Sequence, residues 1–321
     1  MKILVTGGAG FIGSNLADAL IMAGHQVTVL DNFSTGKREN LVQLMDNPSF
    51  TLIEGDIRDR STCAKAVANK DIVYHEAALG SVPRSINDPM TTNDVNIGGF
   101  VNMLFAAKEA KVHRFVYAAS SSTYGDSKTL PKVEDKIGKP LSPYAITKYV
   151  NELYACNFHE LYGIDTIGLR YFNVFGRRQD PHGAYAAVIP KFAIALMQHR
   201  SPHINGDGTY SRDFTYIENV IQANMLAGFT ENTDALNTVY NVAFGEETSL
   251  NELFTYLRAD LGALDSSILK IEAEHGPNRV GDIPHSLADI SKARKLLGYQ
   301  PAFDVKSGLK QAAKWYFEHI R

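Results

Sequence analysis

An α/β fold, a doubly wound and mostly parallel sheet followed by a smaller, less regular α/β region, is what the sequence predicts, from three observations. Apolar β-rich runs alternate with helix-length segments through the first half of the chain. A glycine-rich turn stands directly between the first run and the first helical segment. After about residue 175 the alternation gives way to turn-rich stretches, as insertions and a C-terminal tail would.

Taken in order, "KILVT" reads as a strand, "FIGSNLADALIMAG" as the helix after it and "QVTVLD" as the next strand. "FTLIEGD", "DIVYHEAA", "RFVYAAS" and "TIGLRYF" continue the series. Strands separated by helices imply crossover connections and a parallel sheet covered on both faces. "GRRQDPHG" and "INGDGTYSRD" are rich in turn residues, and there is neither an internal repeat nor a low-complexity linker. At 321 residues the chain exceeds the usual size of one core, so either one large domain with an appendage or two domains sharing a cleft is expected. The division is placed at residues 1–175 and 176–321, with part of 213–245 returning to the first unit across an extensive shared interface.

Composition excludes several classes of function. The chain is 45% hydrophobic and 21% charged with a net charge of -3, so no overall basic excess exists to hold nucleic acid or an anionic membrane. Cys63 and Cys156 are the two cysteines. Neither a disulfide framework nor a multi-cysteine zinc site is available, and a reducing cytoplasm is the expected compartment. "MKILVTGGAGFIG" fits a strand and turn better than a signal peptide, and no run reaches the ~18 apolar residues of a membrane span. None of the ten histidines has metal-site spacing, and His75 reads as a strand histidine bonded to backbone.

In "VTGGAGFIGSNL", Gly7, Gly10 and Gly13 lie between strand and helix. Glycines there let the backbone turn tightly and approach a pyrophosphate, whose charge is favoured by the unpaired N–H groups of the following helix. The spacing is GxxGxxG rather than GxGxxG, and alone it could be mere turn chemistry. It is followed by a second strand ending at Asp31, about the ~20 residues downstream where a carboxylate accepts from adenosine ribose hydroxyls. A Rossmann-type dinucleotide site is therefore expected. Asp31 would repel a 2′-phosphate, and Asn32 and Phe33 offer no arginine to welcome one, which favours NAD over NADP; Arg38 is the nearest cation. Asp56 closes the third strand and could reach the adenine or simply form the turn.

Tyrosine and lysine stand four apart twice, at Tyr124 and Lys128 and at Tyr144 and Lys148, in a chain with fifteen tyrosines. Ser142 is a good N-cap and Pro143 suits the first helical position, so Tyr144 and Lys148 share one face of a helix. Tyr124 follows a strand end and precedes Gly125, so Lys128 lies across a turn with no fixed facing. A nearby ammonium and an oxidised nicotinamide would both lower the phenol of Tyr144 and make it a base; otherwise it is a half-buried helix tyrosine beside a solvated lysine.

Together, "TGGAGFIG", "HEAA", "SSSTYGD", "SPYAITK", "LRYFNVFG", "SRDF" and "GDIPHSLADISKA" resemble the extended short-chain dehydrogenases/reductases, and among them the UDP-hexose 4-epimerases. "AALGSVPRSINDP" and "GRRQDPHGAYAAVIPK" resemble the branch acting on UDP-N-acetylhexosamines. The resemblance implies an NAD-dependent UDP-N-acetylglucosamine/UDP-N-acetylgalactosamine 4-epimerase, working through a 4-keto intermediate and supplying nucleotide sugar for surface polysaccharide. The second, smaller α/β unit would then bind the UDP-sugar.

In that family the catalytic set would be Ser120, Tyr144 and Lys148, with Ser121 and Ser122 as alternatives to the first or as substrate contacts. Phe11, Ile12, Asn32, Ile57, Ala77, Ala78, Lys148 and Tyr171 would complete the cofactor contacts of Gly7, Gly10, Gly13, Asp31 and Asp56. Arg212 and Arg279 would clamp the diphosphate, Asn173 would donate to it and Asp282 would hold the uridine ribose. Ser81 would face the sugar, and Ser286 would leave room for an acetamido group where galactose-type enzymes carry a tyrosine. Arg177 and Arg178 stand nearby in sequence but could simply cover the domain boundary. The chain departs from galactose-type epimerases at Gly80, where they usually have a lysine. It departs from 4,6-dehydratases at Ser121 and Ser122, which replace their Asp-Glu pair. The resemblance also implies a homodimer, paired through "FVNMLFAAKEAK" and the Tyr144 helix. Epimerisation of a UDP-hexosaminuronate, decarboxylation of a UDP-uronate, or non-catalytic NAD or nucleotide-sugar binding are the rival readings.

Overall fold

A computed structural model describes residues 1–181, 187–277 and 283–320. The alternating first half gives β1 (Lys2–Thr6), β2 (Gln26–Asp31), β3 (Phe50–Glu54), β4 (Ile72–His75), β5 (Arg114–Ser120) and β6 (Thr166–Tyr171). Mostly shorter strands follow: β7 (Val174–Phe175), β8 (His203–Asn205), β9 (Ser211–Arg212), β10 (Thr215–Tyr216), β11 (Thr238–Val242), β12 (Thr248–Ser249), β13 (Glu274–Gly276) and β14 (His285–Ser286). The helices are α1 (Phe11–Met22), α2 (Arg60–Val67), α3 (Val82–Asn87), α4 (Pro89–Asn93), α5 (Phe100–Glu109) and α6 (Pro143–Tyr162), then α7 (Val188–Met197), α8 (Ile217–Phe229), α9 (Leu250–Gly262), α10 (Ser291–Leu297) and α11 (Val305–His319).

Seven strands form one sheet in the order β11-β6-β5-β4-β1-β2-β3, with every pairing parallel. The chain runs outward from β1 to β3 and returns to lay β4 on the other side of β1. Such a reversal opens a crevice at the carboxyl ends of the strands. Side chains alternate between the faces. Ile3, Val5, Ile72, Tyr74 and Val116 pack on one side with α1 and α8, in a core that continues into the C-terminal half through Phe254, Leu257, Leu309 and Tyr316. Leu4, Val73, Phe115 and Tyr117 pack on the other side against α2, α5 and α6. Burial on both faces explains why β5 is buried along its whole length.

Two local features place the helix that carries Tyr144 and Lys148. The Ser142 side chain accepts from the Ala145 N–H at 3.1 Å and Pro143 occupies the first turn, so α6 starts where the cap dictates. A π-helical turn, Asp94–Gly99, precedes α5 and presents Asn96 to the loop after β4.

Candidate active site

The crevice holds a cleft of about 500 Å³ lined by Gly7, Gly10–Gly13, Asp31, Asn32, Asp56 and Ile57 at one end. Ala77, Ala78, Ser81, Ser120, Tyr144, Lys148, Tyr171 and Asn173 line the rest. The floor under the glycines is tight. Gly7 has a φ of +67°, and a Cβ there would come within 2.7 Å of the Ala77 backbone; one at Gly13 would run into the Gly7 carbonyl. Two chain segments cross at near contact, leaving a cradle of backbone N–H groups at the start of α1, which suits a pyrophosphate.

Asp31 braces this cradle. One carboxylate oxygen accepts from the Ala9 N–H and the other from the Phe33 N–H, each at 2.8 Å, while burial raises its pKa. Asp56 takes bonds from Asn32 Nδ2 at 2.8 Å and from the Arg58 guanidinium at 2.7 and 3.0 Å; Arg58 holds its carboxyl down at about 2. Arg38 stacks over the Phe33 ring at 4.1 Å and pairs with Glu54 at 2.5 Å, so its charge is directed to a neighbouring acid.

At the other end Lys148 is buried and donates to the Ala118 carbonyl at 2.8 Å. Ser120 ends β5 in the cleft wall, where its hydroxyl acts on the Tyr144 phenol in the direction of phenolate. Ser122 donates to Ser120 Oγ at 2.9 Å, and neither Ser121 nor Ser122 is in the cleft wall. The protein's own groups do not lower Tyr144 as expected. Burial raises it, the Glu76 charge adds to the rise, and the Ser120 hydroxyl opposes them. The cause is desolvation: excluding water penalises phenolate more than one neutral hydroxyl compensates.

Tyr124 and Lys128 are not an equivalent pair. Tyr124 is buried and donates to Asn241 Oδ1 at 2.6 Å beneath the Arg170 guanidinium, while Lys128 is exposed. Burial pushes Tyr124 up to about 12. His75 is also corrected: its Nδ1 pairs with the Thr6 hydroxyl at 2.9 Å rather than with backbone. The ring stacks on Phe115, and burial holds it neutral.

Arg212 and Ser286 lie outside the cleft wall, as register partners on the small sheet β12-β9-β14. The two sites are tied together by Asp213, whose carbonyl accepts from Asn173 Nδ2 at 3.0 Å and whose N–H donates to the Ser286 carbonyl at 2.8 Å. Arg279 and Asp282 lie outside the described residues. Arg177 pairs with Glu218 and Arg178 with Asp18, so both brace the junction between the halves.

Sequence reasoning passed over two groups. Asn96 bonds Leu79 through both its N–H and its carbonyl, and its amide also reaches Thr147 Oγ1 at 3.1 Å, tying the loop after β4 to α6. Glu76 lines the cleft and accepts from the Tyr171 hydroxyl at 2.8 Å. Its only local signal was an acid inside an otherwise apolar strand end. No cluster able to hold a metal ion, and no helix long and apolar enough to cross a membrane, occurs among the described residues.

Similar proteins carry the same architecture. The solved UDP-N-acetylglucosamine 4-epimerase of Methanobrevibacter ruminantium M1, in complex with UDP-N-acetylmuramic acid, superposes with a TM-score of 0.92 at 40% identity over 99% of each chain. The UDP-glucuronic acid 4-epimerase of Bacillus cereus, in complex with UDP-glucuronic acid and NAD, gives 0.89 at 32% identity over 99% of each chain. The UDP-glucose 4-epimerase of Mycolicibacterium smegmatis is 37% identical over 318 residues, 98% of each chain. A sequence model of the NAD dependent epimerase/dehydratase family matches residues 3–243. With its glycine cradle, Asp31 brace and Ser120, Tyr144 and Lys148 on one cleft, the chain belongs to the NAD-dependent epimerase/dehydratase family.

Proposed function

We propose that this NAD-dependent UDP-sugar 4-epimerase interconverts UDP-N-acetylglucosamine and UDP-N-acetylgalactosamine. The observation that carries the chemistry is the meeting of Ser120, Tyr144 and Lys148 in the wall of the glycine-floored cleft. A bound NAD would supply hydride acceptance and return at C4 of the sugar. The glycine cradle would take its pyrophosphate and Asp31 its adenosine ribose. Tyr144 takes the proton of the 4-hydroxyl and later returns it. Ser120, able to donate and accept together, orients that hydroxyl. Lys148, one turn along α6, would place a positive charge at the same end of the cleft.

Arg212 would bind the diphosphate with Arg279, Asn173 would donate to it and Asp282 would hold the uridine ribose. Ser81, at the N-terminus of α3, would meet the sugar. The choice of an N-acetylated sugar is supported by the likeness to the Methanobrevibacter enzyme and by Ser286, a small half-buried residue beside Arg212. A homodimer belongs to the same proposal. Ile146, Leu153 and Leu161 are exposed at intervals of about two turns on α6, and Phe105 is exposed on α5, which is the apolar face a four-helix contact would cover.

The test is incubation with UDP-N-acetylglucosamine, its uronate and UDP-glucose, with the products resolved. Conversion of the first to its C4 epimer at the highest kcat/KM is expected. Preference for the uronate would replace this substrate assignment, and tight NAD binding with no epimerised product would end the enzymatic one.

A further inference from the structure

Glu76 follows β4 and puts a carboxylate in the same cleft wall as Tyr144, Lys148 and Tyr171. A half-buried acid is costly unless a cation or hydrogen bonds offset its charge. Its carboxylate is held firmly. The Tyr171 hydroxyl donates to Oε1 at 2.8 Å, and that hydroxyl accepts at 2.9 Å from Asn224, whose amide is anchored on the Val220 carbonyl of α8. The ionisable groups acting on it come from three directions: Tyr74 on β4, Tyr171 on β6, and Tyr144 with Lys148 on α6. Lys148 is the cation of this group.

Lys148 needs a counter-charge. Its ammonium has one hydrogen bond, to the neutral Ala118 carbonyl, and a buried ammonium so placed tends to shed its proton. Glu152 also acts on it, but Glu152 is already matched by Arg170 through bonds of 2.8 and 2.7 Å. We propose that Glu76 is a positioning residue of the reaction, the carboxylate that keeps Lys148 an ammonium at the reacting end of the cleft.

Burial pulls Lys148 down to about 8 against the upward pull of Glu76, and burial pushes Glu76 up to about 7 against the Tyr171 bond and the Lys148 charge. The same carboxylate opposes the Tyr144 phenolate. Removing it should therefore let both Tyr144 and Lys148 lose their protons at lower pH. Its consequence for rate rests on the reading of Tyr144 and Lys148 as the reacting pair; the charge coupling itself does not.

The experiment reads Lys148 directly. The NAD-loaded protein is labelled with 13C at lysine Cε, the Lys148 signal is assigned by its loss in Lys148→Met, and its titration is followed. Glu76→Gln is isosteric, leaves an acceptor for Tyr171 and removes only the charge; Glu76→Asp keeps the charge. In the Gln variant the Lys148 midpoint should fall by up to about one pH unit, the effect of losing an opposite charge from the same cleft wall. The Asp variant should restore most of it. The bell of kcat/KM against pH should move to lower pH in the Gln variant. A Lys148 midpoint unmoved in Glu76→Gln, or moved as far in Glu76→Asp, overturns the proposal even if epimerisation is confirmed. A shifted midpoint in a protein that epimerises no sugar would uphold the coupling and reject the functional reading alone.

Discussion

Tyr144→Phe removes one oxygen and keeps the ring, so it isolates the proposed proton transfer. The rate should fall by about 10²–10⁴-fold with UDP-sugar affinity little changed, as steady-state kinetics and equilibrium binding would show. Tyr124→Phe should cost far less in rate, because the Tyr124 hydroxyl is spent on Asn241. Comparable rate losses in the two would reverse the assignment. Ser286 allows a sharper test. Ser286→Tyr puts a ring beside Arg212, where the proposed acetamido group must pass. It should depress kcat/KM for UDP-N-acetylglucosamine and UDP-N-acetylgalactosamine far more than for UDP-glucose, with bound NAD retained, since specificity is a difference in transition-state binding. Equal losses on both substrate classes would indicate general damage.

The element that matters most is α6, which carries Tyr144 in its first turn and Lys148 one turn later. Its start is set by Ser142, whose side chain accepts from the Ala145 N–H. Ser142→Ala leaves that donor with no partner from the cap and should lower stability by ~1 kcal/mol. Urea unfolding should show this as a lower midpoint with an unchanged slope. A variant as stable as wild type would mean that packing of Ala145, Ala155 and Phe158 against the sheet fixes the helix start without the cap. The Gly163 end, with φ of 70°, is matched to its residue in the same way.

For the molecule as a whole, the outer face of α5 and α6 predicts its assembly. Leu153 is 52% exposed and Leu161 63%, on a helix whose opposite face is buried in the core. Light scattering should give about twice the 35.4 kDa chain mass, and Leu153→Glu, which buries a charge in the contact, should return the monomer. A monomeric wild-type protein at working concentration is incompatible with the pairing proposed.

The sequence by itself determined what depends on neighbours along the chain. Alternating apolar runs named six strands of the central sheet, and a capped helix put Tyr144 and Lys148 on one face, because strand pleat and helical pitch are local geometry. The glycine turn and Asp31 were legible for the same reason: a tight turn needs residues without a Cβ, and the carboxylate closes the next strand over. Tertiary structure decided whatever depends on which distant groups exclude water from one another. It set Glu76 in the cleft with Lys148, tied Leu79 to α6 through Asn96, placed Arg212 beside Ser286 and turned His75 to Thr6. It also set burial and the Glu76 charge against the Tyr144 phenolate, since desolvation and opposing charge are sums over the whole surrounding shell, and no spacing along the chain records that shell.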